Sequence, residues 1–345
     1  MEKKHISFGK MPQYRDVIRN VIHQTQFEGL DKDSEPIYNP NVKKPIITFD
    51  GTVKLHGSNG SVCMSNKSDI WYQSRNRMLT IQKDNNGFWQ FCHDREEIFK
   101  DLIAQIQHFY FNDGNPGIIS IFGEYCGQGI NQGCAIHQLS KRFIIFAVKI
   151  STVEDHAYYL DSTNLRNVDN QIHNINDFKT YKVNIDFNYP ELSQNKFVEF
   201  VDEVEQECPV SKAFCVSGIG EGIVWVGHYE GVRHVFKTKG KKHSVTKVKI
   251  IAPVNIEKVN SIKEFVDYAV TENRLNQAVT EVFEGEEPTI QKMGEFLRWI
   301  MKDISAEEAD TLGENRLILK DVGRSVAHKA RPWFQTLLNK SAGLT

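Results

Sequence analysis

Between about Ile46 and Lys249 the apolar positions fall in short runs with strand-like alternation, and after Pro253 that period changes. Ile46 to Phe49, Ser61 to Met64, Asp69 to Gln73, Ile118 to Phe122 and Phe143 to Ile150 are rich in β-branched and aromatic residues, which predicts strands. Two helical stripes interrupt them. Ile98, Leu102, Ile106 and Phe109, with Phe99 and Ile103 beside them, recur at helical spacing, as do Phe197, Phe200, Val201 and Val204, and their aromatics read as core. Beyond Pro253, Phe265, Ala269, Leu275, Ala278 and Val282, then Met293, Leu297, Ile300 and Ile304, repeat at helical spacing. The pattern predicts an α+β domain over residues 1–254 and a smaller all-helical domain over 255–345. The join near Ile251 to Asn260 has no Gly/Ser-rich linker, and no internal repeat is apparent.

A chain of 345 residues with ordinary apolar and charged fractions has enough material for two globular cores. Its formal charge of -2 argues against a basic coat, so phosphate recognition falls to local clusters such as Lys237, Lys239, Lys241, Lys242, Lys247 and Lys249. Cys63, Cys92, Cys126, Cys134, Cys208 and Cys215 form no Cys-x-x-Cys pair and no regular framework, so neither a zinc ribbon nor a secreted disulfide scaffold is indicated. Cys126, Cys134 and His137 lack a fourth ligand at zinc spacing. The amino terminus has no apolar run like a signal peptide and no later segment approaches a membrane span, which predicts a soluble, cytoplasmic protein.

The candidate chemistry centres on Lys54-Leu55-His56-Gly57-Ser58-Asn59, a lysine at a strand end before a cluster of turn formers. A lysine amine titrates near 10.4, so a nucleophilic one needs desolvation or neighbouring cations to free its lone pair. The hexapeptide alone better fits a surface lysine beside a hairpin. Downstream, in order, come Gly123-Glu124, Phe146, Glu221-Gly222-Ile223-Val224 and Lys237-Thr238-Lys239. Gly222 lets backbone approach a ligand closely, and Lys237 and Lys239, two apart on one strand, point the same way and can grip one phosphate. Strand aromatics are more often core than base platforms, and Phe143 reads as a core partner on the same face as Phe146.

This ordered set resembles the covalent nucleotidyltransferases: DNA ligases, RNA ligases and capping enzymes, in which a lysine takes a nucleoside monophosphate from a triphosphate. His56 and Asn59 match the Lys-x-His-Gly-x-Asn form of phage RNA ligase 2 and the kinetoplastid RNA-editing ligases, rather than Lys-x-Asp-Gly-x-Arg. The helical carboxy-terminal region, with Ala330-Arg331-Pro332-Trp333, is also similar to that branch, where DNA ligases append an all-β barrel.

The resemblance implies an adenylyltransferase domain of antiparallel sheets with flanking helices. It implies ATP and Mg²⁺, with Mn²⁺ able to substitute, and RNA, as a nicked duplex, for substrate. It assigns Lys54, His56, Lys237 and Lys239 to catalysis. Asn59, Arg75, Glu124 and Phe146 go to the nucleotide: Arg75 also to the RNA end, Glu124 to the ribose, Phe146 to stacking on adenine. Glu221 goes to the metal, and Arg324, Lys329 and Arg331, with His328, to the RNA backbone. Ala147 departs from the aspartate that often follows the stacking aromatic. Neither a membrane nor an obligate protein partner is implied. A guanylyltransferase, a DNA ligase and a non-catalytic RNA-binding protein are the alternatives. The polar stretch Leu30 to Lys44 is longer than the family pattern leads one to expect, and no role attaches to it.

Overall fold

The computed structural model describes residues 2–32, 34–39, 41–65, 69–111, 117–152, 156–160, 164–240, 262–314 and 317–341. The chain forms two compact units, Met1–Gly240 and Lys241–Thr345. The join expected at 254/255 lies outside the described residues, as do Lys241, Lys242, Lys247 and Lys249.

In the first unit α1 (Tyr14–Gln26) runs into a hairpin of β1 (Phe27–Leu30) and β2 (Pro36–Tyr38). There follow β3 (Ile46–Lys54), β4 (Ser58–Met64), β5 (Ile70–Ser74), α2 (Phe88–His93), α3 (Glu96–Phe111), β6 (Ile118–Cys126), β7 (Arg142–Ser151) and β8 (Ala157–Leu160). Then come β9 (Ile172–Asn174), β10 (Thr180–Asp186), α4 (Gln194–Gln206), α5 (Pro209–Ala213), β11 (Gly222–Tyr229) and β12 (Val232–Lys239). The strands make two large sheets, ordered β10-β3-β11-β12 and β5-β4-β6-β7-β8. Their pairings are antiparallel, as expected, and β9 adds to β7 in parallel over three residues.

Alternation decides which face of the first sheet is covered. Ile47, Phe49 and Val53, with Val183, Ile185, Ile223, Trp225 and Phe236, are buried against Val17 and Val21 of α1 and Phe197, Val201 and Val204 of α4. Thr52, Lys54, Val224, Lys237 and Lys239 occupy the opposite, half-buried face. One face of the second sheet packs Ile119, Ile121 and Phe143 on Phe99, Leu102, Ile103 and Ile106 of α3. On its other face Ile6 and Phe8, from the segment before α1, cover Cys63, Trp71, Ile118, Phe122 and Ala147.

Two expectations are corrected here. Phe109 is 75% exposed, because the buried stripe of α3 ends at Ile106 and Phe111 makes the last contact instead. Phe143 and Phe146 lie on opposite faces, since residues three apart on a strand point opposite ways. A bulge opposite Phe122 and Gly123 then leaves Phe146 without a direct cross-strand partner.

The second unit consists of α6 (Ile262–Ala269), α7 (Glu272–Phe283), α8 (Met293–Glu307), α9 (Ala309–Glu314) and α10 (Leu319–Ser341). Its core gathers Phe265, Leu275, Phe296, Ile300, Val326 and Phe334. Val282, Met293 and Leu297 are only partly buried, and Phe283 and Phe296 take the central places. Arg274 is wholly buried among them, held by Asp303 at 2.9 Å, Glu308 at 3.0 Å and the Ala269 carbonyl. No helix among the described residues is long and apolar enough to cross a membrane.

Candidate active site

Sheet register builds the site. Gly222 of β11 pairs with Lys54 of β3 on one side and Lys239 of β12 on the other, so both lysines flank one glycine in a single row. The next row on the same face is Thr52, Val224 and Lys237. Only a small residue fits at the centre: Gly222 has φ +154°, and a Cβ there would lie 2.1 Å from the Thr238 carbonyl oxygen. The residue before it, Glu221, is 3% exposed and sits between the two amines. Lys54 Nζ donates to Glu221 Oε2 at 2.6 Å, and Lys239 Nζ lies 3.0 Å from Oε1. His56 Nδ1 is 3.3 Å from Oε2.

The charges hold one another. Burial alone would raise the Glu221 carboxyl, but Lys54, Lys239 and His56 keep it well below the usual range. Burial alone would lower the Lys54 amine, yet Glu221 first and Glu124 next raise it. Lys54 is therefore an ammonium ion in this state, the opposite of the depressed amine that a ready nucleophile needs.

Three residues, Leu55 to Gly57, carry the chain from β3 into β4 and bring the ends of both sheets together. Gly57 N–H donates to Glu124 Oε1 at 2.9 Å, and Asn131 Nδ2 donates to the Gly57 carbonyl at 2.7 Å. Asn59 and Glu124 are cross-strand partners. Arg75 is exposed just past Ser74, which pairs with Gly60, at the same sheet end as Asn59 and Glu124. Phe146 is half-buried, and the ring of Phe8 meets it edge-on with centroids 5.1 Å apart.

Arg324, His328 and Arg331 are exposed on α10 of the second unit, whereas Lys329 turns to Asp267 of α6 at 2.8 Å. Motif reading missed Asn131 and Phe8. Asn131 stands in a Gly-Ile-Asn-Gln-Gly turn whose composition marks a loop but not its target. Phe8 lies far upstream of every motif and carries no local signal.

The family model described as RNA ligase matches residues 48–239, a span that runs from before Lys54 to Lys239 and leaves out Phe8. The chain belongs to the RNA ligase family. Solved structures of a Naegleria gruberi RNA ligase are also similar. One with PPi shares 17% identity, with a TM-score of 0.41 and coverage of 68% of this chain and 56% of that one. A lysine-to-methionine mutant with AMP and Mn gives 17% and 0.40, and a lysine-to-alanine mutant with ATP and Mn gives 16% and 0.41, both at the same coverage. The chain thus spans about half the length of the Naegleria chains it matches. No curated protein matches it.

Proposed function

We propose that this protein is an ATP-dependent RNA ligase that seals 3′-hydroxyl and 5′-phosphate ends at nicks in duplex RNA. Lys54 is its nucleophile. The observation that carries the reading is the row Lys54, Gly222, Lys239 with the Glu221 carboxylate clasped between the two amines. In the first step the neutral Lys54 amine attacks the α-phosphorus of ATP; an N–P bond forms, a P–O bond breaks and pyrophosphate leaves. An oxygen of the RNA 5′-phosphate then displaces the lysine, which regains its proton. Finally the 3′-hydroxyl attacks that activated phosphorus, loses its proton and expels AMP.

The side chains divide this work. Lys237 and Lys239 neutralise the transferring phosphate, where preorganised cations act most strongly. Asn59 and Glu124 hold the sugar, Phe146 stacks on the base, and Arg75 meets the RNA end. The resting Lys54–Glu221 pair has to open before attack, because a carboxylate held so acidic is a poor base for the ammonium proton. His56, beside the same carboxylate, helps to position it.

Among the described residues no three His, Cys, Asp or Glu side chains form a metal cluster. One buried carboxylate beside a phosphate site fits Mg²⁺, which keeps waters and substrate oxygens as ligands, rather than a dedicated cage. Glu221 would hold it. When bound, Mg²⁺ or Mn²⁺ supplies charge neutralisation at the triphosphate.

The work divides between residues 1–254, which transfer the nucleotide, and 255–345, which hold the RNA backbone through Arg324, Lys329 and Arg331 by phosphate and shape. Buried free thiols suit a reducing cytoplasm, and the protein acts without an obligate protein partner.

Intact-mass measurement after pyrophosphate treatment, followed by Mg²⁺ with ATP or GTP, tests the reading. One AMP adduct, absent in Lys54→Ala, is expected. A GMP adduct would turn the reading to capping, and no adduct from folded protein would leave RNA binding without catalysis.

A further inference from the structure

The segment before α1, α1 itself, the β1–β2 hairpin, Tyr159 of β8 and the outer half of β12 line an open cleft of about 620 Å³ that the joining chemistry leaves unused. It lies along the same strand as the reactive row. Arg233 and Val235 share the face of β12 that carries Lys237 and Lys239, and six residues of strand place Arg233 about 20 Å from Lys239. Phe8, which lines the cavity, is the residue that meets Phe146.

The chemistry of the lining is specific. Arg233 is half-buried with its guanidinium 4.5 Å above the ring of Tyr159, and burial lowers its pKa from the usual arginine range. Among the described residues no carboxylate pairs with it, and none of the lining residues is an Asp or Glu. A cation held partly out of water without a counter-ion favours an anionic ligand. Lys10 adds a second positive charge to the lining. Phe27 and Tyr38, from β1 and β2, also line it and remain 48% and 36% exposed, with the Tyr38 ring 4.3 Å from that of His23. Cations beside open aromatic faces are how proteins hold an unpaired base with its phosphate, and the volume suits a ligand of that size.

We infer that this cavity is a second nucleotide subsite, which takes one unpaired nucleotide, free or within an RNA strand, with Arg233 and Lys10 on its phosphate and Phe27 and Tyr38 against its base. The hairpin built from part of the unassigned Leu30 to Lys44 stretch then has a task. The strand form of the inference rests on the RNA-joining reading.

The test uses the full chain treated with ATP and Mg²⁺, so that the reactive site is filled, and a short RNA carrying one unpaired photoreactive thiouridine. Irradiation is expected to attach the RNA within 27–38 or 232–235, and Arg233→Gln and Tyr38→Ala are each expected to cut the yield at least about fivefold. Urea melts check that both variants fold. Displacement of the crosslink by millimolar UMP would show that the subsite takes free nucleotides, whereas displacement by unlabelled RNA alone would show that it needs the strand; either supports the inference. Attachment only elsewhere, or a yield that survives both substitutions, overturns it. The AMP adduct on Lys54 is read in the same mass spectrum, so failure of the joining reading and failure of the subsite are separate results.

Discussion

Glu221 keeps Lys54 protonated and places it at the same time, and these two effects oppose each other in reactivity. Replacing the carboxylate with an amide removes the partner that raises the Lys54 amine and leaves two ammonium groups facing one another across Gly222. Glu221→Gln is therefore expected to make Lys54 more reactive at neutral pH toward a small amine-acylating reagent, read by peptide mass, while self-adenylylation falls by at least about tenfold. An amide variant that labels with ATP as fast as the wild type would remove Glu221 from the chemistry. His173 on β9 gives a second residue-scale expectation. It is buried, its Nε2 has no partner among the described residues, and burial, with Arg142 nearby, lowers its pKa from 6.5 to about 4. The unfolded chain takes up this proton below about pH 6.5 and the native state only below about 4, so stability is lost as pH falls through that window and no further beneath it. The loss from this one group between about pH 7 and pH 5 is on the order of 2 kcal/mol. Urea melts at the two values should show it in the wild type and a smaller loss in His173→Gln; equal losses would refute it.

At the scale of elements, the row of Lys54, Gly222 and Lys239 depends on three strands that meet at one glycine. Gly222→Ala adds a methyl into the Thr238 carbonyl at a φ that L-residues rarely adopt, so β11 and β12 have to separate where Lys239 is held. A stability loss of about 1–3 kcal/mol is expected, with a larger proportional loss of AMP labelling, and intact labelling would show that the row tolerates the displacement. Much of this arrangement was legible beforehand. Strands at Ile46 to Phe49 and Ser61 to Met64 followed from β-branched and aromatic richness, though they extend to Ile46–Lys54 and Ser58–Met64, and the two helical stripes followed from period 3.6. Register was not legible, because nothing near Lys54 encodes that Gly222 lies beside it 168 positions later. The bulge at Phe146 was equally hidden, since it arises from a mismatch between two paired strands, β6 and β7, rather than from any local residue. The burial of Arg274 was not legible either, because it depends on three acceptors from outside α7.

Across the whole molecule, the two units have separate cores. The buried clusters of the first draw on residues up to Phe236, and that of the second on Phe265 through Phe334. A near-neutral chain cannot hold a long polyanion by its overall field, so the RNA grip proposed above has to come from local ridges. Arg324, His328 and Arg331, spaced four and three apart on α10, form one such ridge, while Val322, Val326, Ala330 and Phe334 face inward. Every group assigned to attack by Lys54 lies in the first unit, so a chain ending before Ile262 is expected to accept AMP from ATP at close to the full rate. On the proposed reading joining needs more than that, because the adenylylated enzyme would have to hold a nicked duplex while two further displacements occur. The shortened chain should therefore seal at least about tenfold more slowly at low RNA concentration, and its RNA affinity should depend less steeply on salt as phosphate contacts are lost. Arg324→Glu with Arg331→Glu in the full chain should reproduce part of that loss without removing a core. Sealing that matches the full chain at every RNA concentration would take the helical unit out of RNA recognition.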